Sequence, residues 1–128
     1  MIKLNVGCGW RNFGEEWMHI DGGDYDHLDH KDIYLTDHSD NSVDVIYSSH
    51  VIEYFDQEAV CNLLAEWRRV LKPEGVLRVA VPNFTAMSSL YLEGRVTLDK
   101  ILGPMYGKMK MGDANTYHKT TYDYDSLK

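Results

Sequence analysis

The stretch of the chain that most constrains the fold has the pattern strand, helix, strand. Residues 42–49 (SVDVIYSS) and 75–83 (GVLRVAVPN) are rich in β-branched and apolar side chains, which is typical of buried strands, and Pro82 stops the second one. The helix between them is predicted to follow Asp56 as its N-cap and to end before Pro73. Because a strand, helix, strand unit requires parallel strands, the sequence predicts an α/β fold.

Shorter elements are predicted on either side of this unit. Residues 2–6, 17–20 and, more weakly, 33–35 have the pattern of strands. Residues 85–94 are expected to form a short helix that ends at Gly94. The stretch from residue 102 to 125 is predicted to be irregular, and Asp123 is expected to cap a helix beginning at the end of the chain.

Length and charge limit what the chain can be. Its 128 residues are enough for a single domain over residues 1–128. The net charge is −7, and an acidic body argues against general nucleic-acid binding, which needs a basic face. No apolar run approaches the ~20 residues that span a bilayer, and no secretory signal is expected, so the cytoplasm is the predicted compartment. Cys8 and Cys61 are expected to be free thiols.

A glycine-rich turn follows the first predicted strand. Gly7 and Gly9 would allow positive φ and close approach of a ligand, and Asp21, fourteen positions after Gly7, could accept from both ribose hydroxyls. In the dinucleotide-binding fingerprint the acid lies about 20 residues on, and a third glycine opens a helix that holds the pyrophosphate. That helix is missing here, which disfavours a nucleotide-dependent dehydrogenase. A simple turn without a ligand remains the alternative interpretation.

Several segments together resemble a known family. LNVGCG, HID, DNSVDVIYSSHVIEYF, EWRRVLKPEGVLRVAVPNF and YHKTTYDYDSL are similar to the small class I S-adenosylmethionine-dependent methyltransferases, in their short predicted subgroup. The resemblance implies a Rossmann-like, mostly parallel sheet with strand order 3-2-1-4-5. It also implies a C-terminally truncated domain that lacks the usual β6/β7 hairpin.

The same resemblance assigns a cofactor site. The cofactor would be S-adenosylmethionine, with S-adenosylhomocysteine as its product; it has no phosphate, so the missing helix is tolerable. The glycine turn would lie along the methionine and ribose portion, Asp21 would bind the ribose hydroxyls, and Asp32 with Ile33 would hold the adenine. The complete predicted set is Asn5, Gly7, Cys8, Gly9, Asp21, Gly22, Asp32, Ile33, Ser48, Ser49 and His50.

Two histidines are the predicted catalytic residues. His50 would lie next to the methyl group, and His118 would lie on the substrate side; either imidazole could take a proton from the acceptor. Packing without a catalytic role is the alternative for both. Residues 21–44 contain eight Asp and three His, but they lack the spacing of a known metal motif, so a solvated acidic loop is expected there and no metal.

The function predicted from the sequence is therefore methyl transfer from S-adenosylmethionine to an unknown acceptor, such as a small molecule or a saccharide. The alternative is a truncated, non-catalytic domain that binds the cofactor or its product, or that serves in an interaction. A homodimer through the open edge of the fifth predicted strand is a further expectation, because an unpaired strand edge invites pairing with a second chain.

Overall fold

The structure, a computed structural model, describes residues 1–111 and 113–128. Contacts between residues group the chain into two compact units. The first unit comprises Met1–Ser49 and Glu58–Ala80, and the second comprises His50–Gln57 and Val81–Lys128. The prediction of a single domain over residues 1–128 stays a prediction.

The first unit contains a parallel four-stranded sheet. Its strands are β1 (Lys3–Val6), β2 (Met18–Ile20), β3 (Val43–Ser49) and β4 (Leu71–Ala80), in the order β2-β1-β3-β4. Helix α1 (Gln57–Val70) connects β3 to β4. The predicted strand, helix, strand unit is thereby confirmed, although β4 begins four residues before the predicted Gly75 because β3 and β4 pair through an irregularity between Val43 and Val45.

The core of the first unit explains why these segments form regular structure. Val60, Leu63, Trp67 and Val70 recur every three or four residues on α1, and all four are buried. The strands supply further buried apolar residues, namely Leu4, Val6, Ile20, Val43 and Ile46. Because α/β sheets are covered on their faces by helices, this apolar stripe is what fixes α1 against the strands.

The predicted strand at residues 33–35 is wrong. Leu35 is buried but has a left-handed φ of 60°, and the Asp32 carboxylate accepts from the backbone N–H groups of Tyr34 and Thr36, so the chain turns instead of extending. Trp67 Nε1 donates to the Ile33 carbonyl at 2.8 Å and holds this loop against α1. The predicted order 3-2-1-4-5 is therefore not matched, since the position of its third strand is taken by a loop.

The second unit is built from short elements. They are a 3₁₀ turn (Ile52–Tyr54), α2 (Phe84–Leu92), α3 (Leu98–Tyr106), an antiparallel hairpin of β5 (Met109–Met111) and β6 (Ala114–Thr116), and α4 (Tyr124–Leu127). The prediction that residues 102–125 are irregular is wrong where α3, β5 and β6 form. Gly112 of that stretch lies outside the described residues. The cap at Asp123 is confirmed, because its side chain and that of Ser126 form a reciprocal capping box.

Strand β4 has an open edge within the part of the chain that the structure describes, since it pairs there with β3 alone. Its burial is low, and Val76 and Leu77 are 45% and 40% exposed. A homodimer through this edge stays a prediction. Among the described helices, none is long and apolar enough to cross a membrane.

Candidate functional site

The glycine turn at the end of β1 has the backbone that the sequence predicts. Gly7 and Gly9 have φ values of 71° and 56°, and the N–H of Gly7 donates to the Ile20 carbonyl at 2.7 Å. A Cβ at Gly9 would meet no atom within 4 Å, so backbone conformation and not crowding favours glycine there. The open space beside Gly9 leaves its backbone accessible to a ligand.

Asp21 ties this turn to the end of β2. Its Oδ2 accepts from the N–H of Gly9 at 2.8 Å, and its Oδ1 accepts from the N–H of Gly23 at 2.8 Å, so the carboxylate bridges two loops with Gly22 exposed between them. A carboxylate oxygen can accept more than one hydrogen bond. Asp21 is therefore fixed in place and still able to accept from a ligand hydroxyl at each oxygen.

Cys8 serves this turn through its backbone. The side chain is buried, and its Sγ lies 3.7 Å from His27 Nε2 and 3.4 Å from the Gly9 carbonyl oxygen. Burial, together with the nearby charge of Asp21, raises the pKa of the Cys8 thiol to about 11. The thiol stays protonated at neutral pH, and it is not a nucleophile there.

Two predicted cofactor residues present buried polar atoms on neighbouring strands. Asn5 on β1 and Ser48 on β3 are 2% and 1% exposed, and Asn5 Nδ2 and Ser48 Oγ have no hydrogen-bond partner among the described residues. A buried polar group without a partner costs about 1–3 kcal/mol. Ser49, which follows Ser48 and ends β3, is half-buried. These orphaned atoms lie at the carboxyl ends of parallel strands, where α/β sheets bind ligands.

Asp32 and Ile33 lie in the loop that replaces the predicted third strand. The Asp32 carboxylate accepts from the Thr36 hydroxyl and from the backbone of Tyr34, and the hydroxyl contact is the main reason that the pKa of Asp32 is lowered. The Ile33 carbonyl is occupied by Trp67, which leaves the Ile33 N–H as its backbone group for a ligand. The loop is thus ordered by its own contacts, and the adenine role of this pair stays a prediction.

His50 is the residue after β3, and it belongs to the second unit. It has a left-handed φ of 58°, and its Nδ1 lies 3.7 Å from Oε2 of Glu53. Glu53 is 1% exposed, and neither carboxyl oxygen has a hydrogen-bond partner among the described residues. Burial raises the pKa of Glu53 to about 7. A titratable pair of this kind is frequent at functional sites.

His118 lies in the same unit and has a fixed tautomer. Its Nδ1 is 3.1 Å from the Met105 carbonyl, and a carbonyl only accepts, so Nδ1 carries the hydrogen and Nε2 holds the lone pair of the neutral ring. The ring packs edge-on against Tyr54 with centroids 4.6 Å apart. A Cβ at Gly107 would overlap Nε2 and lie 2.8 Å from the Tyr54 hydroxyl oxygen, so both polar atoms pack against Gly107 and only glycine fits there.

A cavity of about 420 Å³ within the second unit brings the two predicted catalytic histidines together. Its lining includes His50, Tyr54 and His118 at polar positions and Pro82, Met87, Leu90 and Pro104 at apolar ones. The sequence reasoning missed Glu53, Tyr54 and Gly107. The signal for Glu53 was a lone charge in the apolar run HVIEYF, three residues after His50.

The described residues bring together no group of three His, Cys, Asp or Glu side chains that could hold a metal ion. The acidic segment from Asp21 to Asp44 uses its carboxylates for local contacts instead. Asp29 accepts from the backbone N–H of His19, and Asp44 accepts from that of Ile2.

A comparison with protein families finds a match over slightly under half of the chain. Residues 19–79, which run from β2 through Asp21 and His50 to β4, match the family model described as a methyltransferase domain. This match supports a class I methyltransferase domain over residues 19–79. The match begins after the glycine turn, so the geometry of that turn is evidence separate from it. None of the curated proteins searched matches the chain.

The predicted site residues are divided between the two units of the chain. The first unit carries Asn5, the glycine turn, Asp21 and Ser48, while the second carries both histidines. His50, the first residue of the second unit, directly follows Ser49 at the end of β3, so the chain itself joins these two sets of residues. In the sheet, Ser48 is in register with Val6, which immediately precedes Gly7, so the glycine turn and the end of β3 lie side by side.

Proposed function

We propose that the chain transfers a methyl group from S-adenosylmethionine to a small-molecule acceptor. The observation that carries the proposal is the Asp21 carboxylate, which is anchored by the N–H of Gly9 at the carboxyl edge of the sheet. A fixed acid that can still accept from ribose hydroxyls suits a nucleoside, and the described residues form no helix between β1 and β2 that could hold the pyrophosphate of a dinucleotide. The matched methyltransferase domain supports the same ligand.

Other atoms of the first unit fit this cofactor. Ser48 Oγ is buried and without a partner among the described residues, and a polar ligand at this edge of the sheet would satisfy it. Asn5, which is in register with Tyr47, faces the other side of the sheet. The open face of Gly9 would lie along the methionine and ribose portion, and Asp32 with the Ile33 N–H would contact the adenine. When bound, the cofactor would supply a methyl group that is already activated by its positive sulfur.

Because the methyl group would already be activated, the protein would have few chemical tasks of its own. The acceptor must be aligned with the methyl group, water must be excluded, and a proton must be removed from the acceptor as its new bond to carbon forms. His50 and His118 both line the cavity of the second unit and can take that proton. In the balanced reaction the acceptor gains the methyl group, the sulfur keeps the bonding pair, and the imidazole gains the proton.

The test is titration calorimetry of S-adenosylmethionine and S-adenosylhomocysteine with the wild-type chain and with Asp21→Asn. Loss of a charged hydrogen-bond partner costs about 1.5–3 kcal/mol, so binding should weaken about tenfold to a hundredfold. Asp26→Asn is the matched control, because it removes the same charge from an exposed position in the following loop. The control should bind like the wild type.

The far-UV circular dichroism of each variant shows whether it is folded, since Asp21 also joins two loops. Equal affinity of folded Asp21→Asn and wild type would refute the assignment of the ribose acid. Binding of a nicotinamide dinucleotide in preference to S-adenosylmethionine would refute the proposed cofactor.

A further inference from the structure

The cavity of the second unit has a distinctive chemical character. Its lining residues are His50, Tyr54, Pro82, Asn83, Ala86, Met87, Leu90, Gly103, Pro104, Gly107 and His118. No Lys, Arg, Asp or Glu is among them. This lining offers a phosphate or carboxylate group no permanently charged partner, and charge-assisted hydrogen bonds are the strong contacts of such groups. The lining therefore favours an uncharged ligand.

The apolar part of the cavity lining favours a ligand with an aromatic ring. Pro82, Met87, Leu90 and Pro104 present carbon and sulfur surface, and methionine adapts to aromatic rings. A saccharide, by contrast, carries several hydroxyl groups that each need a partner when buried. Asn83 adds little, because its side-chain oxygen accepts from the Thr85 N–H as the cap of α2. The volume of about 420 Å³ is in the range of sites for small organic molecules.

The polar part matches one hydroxyl group. The neutral His118 ring presents the Nε2 lone pair, because Nδ1 donates to the Met105 carbonyl. The Tyr54 oxygen accepts from the Lys108 backbone, and burial, followed by the charge of Glu53, raises the Tyr54 pKa. Tyr54 therefore keeps its proton and can donate. Both atoms lie against Gly107 and therefore near each other, and both residues line the cavity, so this acceptor and donor match the donor and acceptor of a single hydroxyl.

We propose that this cavity binds an uncharged aromatic compound carrying one phenolic hydroxyl, which His118 Nε2 deprotonates while Tyr54 donates to its oxygen. The proposal rests on the proposed function and names its acceptor. The phenol proton passes to Nε2, the phenol oxygen bonds to the methyl carbon, and the bond from carbon to the positive sulfur breaks with its electron pair left on sulfur. The product is an aryl methyl ether.

A phenol is a better methyl acceptor for this cavity than an aliphatic alcohol, because its hydroxyl group is more acidic. A phenol such as the tyrosine side chain has a pKa of about 10, whereas the hydroxyl of water has about 15.7, and an imidazole is a base of only moderate strength. Proton transfer to His118 is therefore far less uphill from a phenol. Among the described residues no carboxylate lines the cavity, since Glu53, whose Oε2 lies 3.7 Å from His50 Nδ1, is not in the lining.

The experiment is a titration of the whole ¹⁵N-labelled chain with 2-naphthol, 2-naphthoate and glucose, without cofactor, followed by NMR amide shifts. We expect 2-naphthol to bind and to shift the amides of Gly107 and His118. We expect 2-naphthoate, which has the same rings and a negative charge, to bind at least tenfold more weakly. Equal or tighter binding of 2-naphthoate, or binding of glucose in preference to 2-naphthol, would overturn the proposal.

A pair of variants tests the location. Leu90 lines the cavity, and Leu92 on the same helix does not and is 82% exposed. Leu90→Trp should weaken 2-naphthol binding at least tenfold by filling the cavity, and Leu92→Trp should change it less than twofold. Equal effects would refute the location. His118→Gln should keep 2-naphthol binding within about tenfold and abolish its methylation, and retained methylation would refute the base.

A parallel titration with S-adenosylmethionine separates the two proposals. If the cofactor binds and 2-naphthol does not, the acceptor proposal fails and the proposed function stands. If 2-naphthol binds and the cofactor does not, the proposed function fails, and with it the role of the cavity in methyl transfer.

Discussion

Glu53 gives the sharpest test of the second unit, because its environment predicts an unusual dependence of stability on pH. The side chain is 1% exposed, and burial raises its pKa from 4.5 to about 7, although its own backbone N–H opposes part of the rise. In the unfolded chain the carboxyl ionises near pH 4.5. Between these values the unfolded state releases a proton that the folded state retains, so stability falls as pH rises.

The magnitude follows from the two pKa values. Each unit of difference is worth about 1.36 kcal/mol, so ionisation of Glu53 costs the folded state about 3 kcal/mol at pH 8 and under 1 kcal/mol at pH 5. Glu53→Gln keeps the shape of the side chain and cannot ionise. Relative to wild type, the variant should therefore gain about 2 to 3 kcal/mol of unfolding free energy between pH 5 and pH 8.

Urea unfolding at the two pH values, followed by far-UV circular dichroism, measures this gain. The difference between the variant and wild type isolates Glu53 from other titrating groups, and any loss from burying the amide is present at both pH values and cancels. Glu58→Gln is the matched control, because Glu58 is exposed at the start of α1, and its effect should change by less than about 0.5 kcal/mol. Parallel pH profiles for Glu53→Gln and wild type would refute the reasoning.

Two further predictions concern the first unit. Burial is the main cause, and the charge of His27 the second, of the lowered pKa of His19. The folded state therefore favours the neutral imidazole, and its stability falls as pH falls below 6.5. In urea unfolding, His19→Gln should reduce this loss of stability between pH 7 and pH 5, and an unchanged loss would contradict the prediction. Trp67→Phe removes the bond to the Ile33 carbonyl and leaves a void, which should cost about 2–4 kcal/mol of unfolding free energy; a loss under 1 kcal/mol would contradict the anchoring of the loop.

The parts of the fold that sequence predicted correctly are governed by local signals. The apolar period of α1 and the cap at Asp123 each depend on residues a few positions apart, and the parallel pairing of β3 and β4 follows from the helix between them. The glycine turn with Asp21 was predicted for the same reason, since positive φ and an acid after a strand are visible in the letters.

The parts that were missed depend on partners distant in sequence. Residues 33–35 have apolar letters suited to a strand, but Trp67 and Arg69 hold the carbonyls of Ile33 and Leu35 from more than thirty positions away. Proline is usually excluded from helix interiors, which argued against helix α3 in the sequence. In the structure Pro104 lies near the end of α3, three residues before the Gly107 cap. The burial of Glu53 could not be predicted, because it comes from packing within the second unit.

The segment between β3 and α1 shows why the functional residues gather where they do. The strands and the helix of the first unit are committed to packing by their periodic apolar residues, so the short connection His50–Gln57 is free to carry other chemistry, and it belongs to the second unit. It retains two unfavourable features, a left-handed His50 and a buried Glu53 whose carboxyl has no hydrogen-bond partner among the described residues. Each costs on the order of 1 kcal/mol or more, and a connection of this length could be made without either. His50 lines the cavity of the second unit, and Glu53 lies against His50 without lining that cavity, so both unfavourable features belong to the stretch of chain that borders it.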